Sequence, residues 1–167
     1  GRIPIFCDTT SCTHTLLFET GGDILTPENR EKYKQLKIMD ITQWLKEVVL
    51  PRIKVIRPKN RILLHPTCSC QIMGLTPVLL DIARKCAREV ILPDNWGCCG
   101  ASGDRGFIFP ELSDSATRDE RDEIGHESFD GCYSLARTCE IAMQDHIEQP
   151  YESIVYLVDE TIQDQGT

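Results

Sequence analysis

The stretch Arg61-Ile62-Leu63-Leu64-His65-Pro66-Thr67-Cys68-Ser69-Cys70 decides how the rest of the chain is read. Arg61 to His65 holds a short, unbroken apolar run that a proline then ends. Such a run reads as a strand buried on both faces. The next apolar residues, Leu75, Val78, Leu79, Ile82, Ala83 and Cys86, share one helical stripe, with Pro77 in the first turn, where proline is tolerated. Glu89 to Pro93 then reads as another strand. A strand, a helix and a strand in that order make a parallel pair with a crossover.

The same alternation extends in both directions. Ile3 to Asp8 reads as a first strand. Residues 9 to 30 contain Gly21-Gly22 and Pro27 and read mostly as loop. Asp40 with Gln43 three residues later resembles a capping box, and Ile41, Trp44, Leu45, Val48 and Val49 form the stripe of an amphipathic helix. Downstream, Pro110 opens a polar helix to about Glu123, residues 132 to 146 read as helix, and Ser153 to Val158 reads as a last strand. The expected fold class is α/β, a Rossmann-like parallel sheet covered by helices on both faces.

Composition limits the function. The 167 residues suit one α/β domain, and 41% hydrophobic with 26% charged residues is a globular balance. A net charge of -8 argues against nucleic acid as partner, since phosphate binding needs clustered Lys and Arg. It also argues against docking on an anionic membrane by charge alone. No apolar run is long enough for a transmembrane segment. Gly1-Arg2-Ile3-Pro4-Ile5 does not read as a signal peptide, and the expectation is a chain that begins inside a longer protein. The acidic stretch Asp119 to Glu127 reads as a solvated face.

The chemistry lies in 9 cysteines, an odd number that cannot pair completely within one chain. Without a secretory signal, thiols kept reduced in a cytoplasmic setting are the better reading. Cys7 and Cys12 end or follow the first strand. Cys68 and Cys70 follow the second, and Cys98 and Cys99 follow the third. Loops after parallel strands share the carboxyl edge of the sheet, where ligands bind, so cysteines remote in sequence are expected to meet there. Cys139 reaches this edge from the later helix. Cys132, on the same expected stripe, reads equally as core or as ligand. Cys86 and Cys7 read as packing residues. Packing or orientation is favoured over ligation for His65. The vicinal Cys98-Cys99 pair has no core explanation, and Gly97, Gly100, Gly103 and Gly106 let its backbone approach a ligand closely. The loop lacks both the Gly-Lys-Ser/Thr ending of a P-loop and GxGxxG.

Cys98-Cys99-Gly100 resembles the CCG motif of the cysteine-rich domain family, found in heterodisulfide reductase B subunits and glycolate oxidase iron–sulfur subunits. Cys68 matches the lone cysteine that precedes the pair, with 29 residues between it and Cys98, and Cys139 matches the last cysteine of the terminal CxxC. Ala136 stands where the first cysteine of that CxxC would fall. Asp8-Thr9-Thr10-Ser11-Cys12 looks like the tail of an earlier repeat. The resemblance thus divides the chain into residues 1–58, the end of one repeat with connecting helices, and 59–167, a complete second repeat. Gly97 to Phe107, Arg137 to Ile141 and Ser153 to Glu160 look most like the C-terminal region of FAD-linked, D-lactate dehydrogenase-like oxidases fused to ferredoxin domains.

The resemblance implies that Cys68, Cys98, Cys99 and Cys139, with Cys12 nearby, bind a 4Fe-4S type iron–sulfur cluster. Its role would be electron transfer for a flavin-linked 2-hydroxy acid dehydrogenase. FAD would sit in another part of the parent protein, the partners would be the parent's flavin and ferredoxin-type domains, and the setting would be cytoplasmic, peripheral to a membrane through the parent complex. With Ala136 in place, a noncubane cluster, a cubane cluster, a zinc ion or an empty site all stay open. Two rival expectations are a zinc-binding structural module and a thiol/disulfide redox site, the latter built on Cys98-Cys99 with charge from His65 or Arg105.

Overall fold

The computed structural model describes residues 3–20 and 24–162. Gly21 and Gly22, read above as loop, lie outside these, as do Gly1 and Arg2 of the opening segment and residues 163–167. Strand β1 (Ile5–Cys7) pairs in parallel with β2 (Ile38–Asp40). Between them lie α1 (Thr10–His14), a π-helical continuation (Thr15–Glu19) and α2 (Pro27–Tyr33). The loop expected over residues 9 to 30 is therefore largely helical. Thr26 caps α2 by accepting from the Asn29 N–H, and Pro27 occupies the first turn, where its missing N–H costs nothing.

Helix α3 (Ile41–Trp44) runs on through Leu45–Val49 as a π-type turn. Its start is the expected capping box. The Asp40 carboxylate accepts from Thr42 N at 2.9 Å, and the Asp40 N–H donates to Gln43 Oε1 at 3.3 Å. Asp40→Ala removes that acceptor from a fully buried site. It is expected to cost about 1–2 kcal/mol, or about 3 °C of Tm per kcal/mol for a chain of this size. Thermal unfolding followed by circular dichroism checks this.

The main sheet has four parallel strands in the order β4-β3-β5-β6. These are β3 (Lys59–Leu64), β4 (Ala87–Ile91), β5 (Gly131–Ser134) and β6 (Tyr151–Ser153). Strand β3 is central, so its apolar run is buried on both sides. Ile62 and Leu64 pack with Leu45, Leu79, Ile82, Ile154 and Leu157. Leu63, between them, faces the other way and packs with Ile124, Ala142, Met143 and Ile147. That alternation is the pleat of the strand. It places α3, α5 (Thr76–Cys86) and α9 (Ile154–Thr161) on one face, and α7 (Pro110–Ile124) and α8 (Arg137–Ile147) on the other. The fold is α/β with a parallel sheet flanked by helices. Short α4 (Cys68–Ile72) and α6 (Arg105–Ile108) lie in loops at the carboxyl edge. No helix among the described residues is long and apolar enough to cross a membrane.

Two expected elements change. Residues 132 to 146 are not one helix, because β5 precedes α8, and Cys132 and Cys139 lie on different elements. In β5, Cys132 and Tyr133 face opposite cores, as strand residues must. Of the segment 153–158, only Ser153 is strand, as the end of β6, and the rest is helix. Ile154, Leu157, Val158 and Thr161 are its buried positions, with helical spacing, and Ser153 accepts from Val155 N at its start.

Candidate metal centre in the cysteine cleft

A cleft of about 540 Å³ opens at the carboxyl edge of the main sheet, and Cys12, Cys68, Cys98, Cys99 and Cys139 all line it. Each arrives by a different route. Cys68 begins α4, directly after β3 and the cap residue Thr67, whose hydroxyl accepts from Cys70 N at 3.2 Å. Cys98 and Cys99 lie in the loop after β4. Cys139 is in the first turn of α8, after β5. Cys12 comes from α1, which is tied to the end of β5 by a hydrogen bond from Thr10 N to Leu135 O, 3.3 Å. The loop after each of three neighbouring parallel strands thus contributes a thiol.

The sulfurs interact directly. The Cys99 thiol donates to Cys139 Sγ at 2.9 Å, and both residues are buried. Gly100 N–H donates to Cys98 Sγ at 3.4 Å. Cys98 is pulled towards its thiolate, first by the hydrogen bond from Cys68 and then by that from Cys99, with the Gly100 N–H and the His65 charge adding to them against burial. The same contacts raise the partners. Cys68 is raised by its hydrogen bond to Cys98 and then by burial. Cys99 is raised by its bonds to Cys139 and Cys98, then by burial.

Gly100 makes the loop possible. Its φ is +73°, and a Cβ there would stand 2.6 Å from Leu112 O and from Ser113 Cα. The loop can press against the first turn of α7 only without a side chain. Ala136 is the N-cap of α8, with no side-chain acceptor for the first-turn N–H groups, and it lines the cleft together with Arg137, Thr138 and Cys139. An uncapped helix N-terminus presents positive partial charge to this space.

The other cysteines divide as follows. Cys70 and Cys86 are core residues of the α5 face, and burial raises both thiols, that of Cys70 to about 12. Cys132 packs on the opposite face and is pushed up to about 12 by burial, so the structure makes it core. Cys7, expected as core, is only half-buried and belongs to neither cluster.

His65 does not line the cleft. It lies behind it, fully buried, with Nδ1 3.1 Å from Glu120 Oε2 and 3.3 Å from Oε1. Its Nε2 is buried without a hydrogen-bond partner among the described residues, and the ring of Tyr151 stands edge-on at 6.4 Å. Glu120 corrects the reading of Asp119 to Glu127 as a wholly solvated face. Ser113, Thr117, Glu120 and Ile124 form the inward stripe of α7. Ser113, Thr117 and Glu120 are polar, so no apolar spacing marks this stripe in the sequence, and a glutamate on it carries no signal of its own until the histidine opposite is known.

The donor set suits iron–sulfur ligation: five thiols, backbone N–H donors and mainly apolar walls. Among the described residues, no group of three or more His, Cys, Asp or Glu side chains is arranged to hold a metal ion. No family model matches the chain, and no curated protein matches it.

Proposed function

We propose that this chain is the iron–sulfur cluster-binding, electron-transfer part of a flavin-linked oxidoreductase. The observation that carries the reading is the meeting of Cys68, Cys98, Cys99 and Cys139, from three separate strand-end segments, in one cleft with Cys12 beside them. Such a cluster, when bound, supplies a one-electron donor and acceptor. Cys68, Cys98, Cys99 and Cys139 would hold it through their thiolates. The bare N-terminus of α8 and the Gly100 N–H would stabilise its negative charge, and the buried surroundings would tune its potential.

The resemblance of Gly97 to Phe107 and of Arg137 to Ile141 to FAD-linked oxidases supports the wider assignment. The electron partners would be flavin and ferredoxin-type domains of a 2-hydroxy acid dehydrogenase, in the cytoplasm and peripheral to a membrane through the parent complex. Nine free thiols favour a reducing compartment. The expected result for Cys98→Ser/Cys99→Ser, prepared without oxygen, is loss of the sulfur-to-iron absorbance near roughly 400 nm and of bound iron. Cys86→Ser, in the core, is expected to keep both. Equal iron in the wild type and the double variant would overturn the assignment.

A further inference from the structure

Cys99 and Cys139 differ from every other cysteine pair in the cleft. Both are buried, both line the cavity, and their sulfurs stand 2.9 Å apart across 40 residues of sequence. A disulfide has its sulfurs at about 2.05 Å, so the bond forms after a closure of roughly 1 Å. Cys139 is fixed, because α8 is anchored through Ala142, Met143 and Ile147. Cys99 is carried by a loop whose Gly97 has open space around it. The vicinal alternative, Cys98-Cys99, would close a small strained ring through its own peptide bond.

We propose that Cys99 and Cys139 are a reversible modification site: they close to a disulfide when the cleft holds no metal, and the bridge blocks loading of the cleft until it is reduced. The second clause rests on the iron–sulfur reading; the first does not. The oxidant is a hydroperoxide, small enough to enter the cleft. One thiol gives up two electrons to hydrogen peroxide, becoming a sulfenic acid and releasing one water. The neighbouring sulfur then displaces the hydroxyl, which leaves with that thiol's proton as a second water, and the S–S bond forms. A dithiol reductant reverses the step by exchange, leaving as its own disulfide. The bridge removes two thiols and leaves Cys12, Cys68 and Cys98, one short of a four-thiolate set.

The test uses the metal-free 167-residue chain, reduced and then treated with hydrogen peroxide. Remaining thiols are blocked with light iodoacetamide, the chain is reduced, and new thiols take the heavy reagent before peptide mass spectrometry. The expected result is heavy label on Cys99 and Cys139 in equal amounts, kept for this pair in Cys98→Ser and lost from Cys99 in Cys139→Ser. Heavy label on Cys98 with Cys99, on Cys68 with Cys98, or on no pair overturns the site. In parallel, iron and sulfide uptake is measured on reduced, oxidised and re-reduced chain. Uptake lost on oxidation and recovered with dithiothreitol supports the block, and equal uptake in all three overturns it. If even the reduced chain takes up no iron, the iron–sulfur reading fails, and the label map still decides the bridge.

Discussion

His65→Leu is expected to destabilise the protein by about 3–5 kcal/mol, and adding Glu120→Met is expected to recover most of that loss. Glu120 is 2% exposed, and its hydrogen-bonding partner is His65 Nδ1. With leucine at 65, the buried carboxyl group loses the hydrogen-bonding partner that the structure gives it, and an unsatisfied polar group in a buried site is costly. Replacing both members removes the stranded group altogether, and two apolar side chains of similar volume can pack in its place. The two substitutions should therefore be strongly non-additive, as expected for residues in direct contact. Urea unfolding of the wild type, both single variants and the double measures this. A double variant that loses the sum of the two single losses would show that the pair is not the unit described here.

Gly100→Ala is expected to cost about 2–6 kcal/mol and to disturb the cleft. Two effects add. A positive φ for a residue with a Cβ costs about 1–3 kcal/mol. Overpacking against backbone that cannot rotate away costs about 1–3 kcal/mol, and here the new methyl meets Leu112 O and Ser113 Cα at 2.6 Å. Two neighbouring glycines separate the contributions. Gly103 has φ +75° but nothing within 4 Å of a Cβ, so Gly103→Ala should show only the conformational cost. Gly97 has neither a positive φ nor a close neighbour, so Gly97→Ala should fall within about 0.5 kcal/mol of the wild type. Denaturant midpoints in the order Gly97→Ala, Gly103→Ala, Gly100→Ala, from most to least stable, are the expected outcome. Equal midpoints for the last two would contradict the clash.

The sheet and the meeting of the cysteines were legible because both follow from short-range patterns. Ile62-Leu63-Leu64 can be buried on both faces only in a central strand, and Asp40 with Gln43 marks its helix by capping chemistry alone. Once the strands are parallel, their following loops must share an edge, so Cys68, Cys98 and Cys99 fall together without any contact being known. The failures have equally local causes. Cys132, Leu135, Ala136 and Cys139 imitate a helical stripe by coincidence, whereas β5 ends at Ser134 and α8 starts after Ala136. Ser153-Ile154-Val155-Tyr156-Leu157-Val158 is rich in strand-favouring residues, but the core takes Ile154, Leu157 and Val158 from one helical face, and tertiary burial outweighs propensity. Thr26-Pro27 was a readable helix start that the proline made look like loop. The Glu120–His65 pair and the Cys99–Cys139 contact join residues 55 and 40 positions apart, and no periodicity encodes either.

The central claim is that the cleft binds an iron–sulfur cluster, and metal analysis of the chain purified without oxygen tests it most directly. Iron, acid-labile sulfide and zinc are measured per chain alongside the visible spectrum. The account predicts brown protein with iron and sulfide in equal amounts, about four of each for a cubane cluster. Colourless protein that carries zinc without sulfide, or that takes up neither iron nor sulfide when reduced and supplied with both, would contradict it.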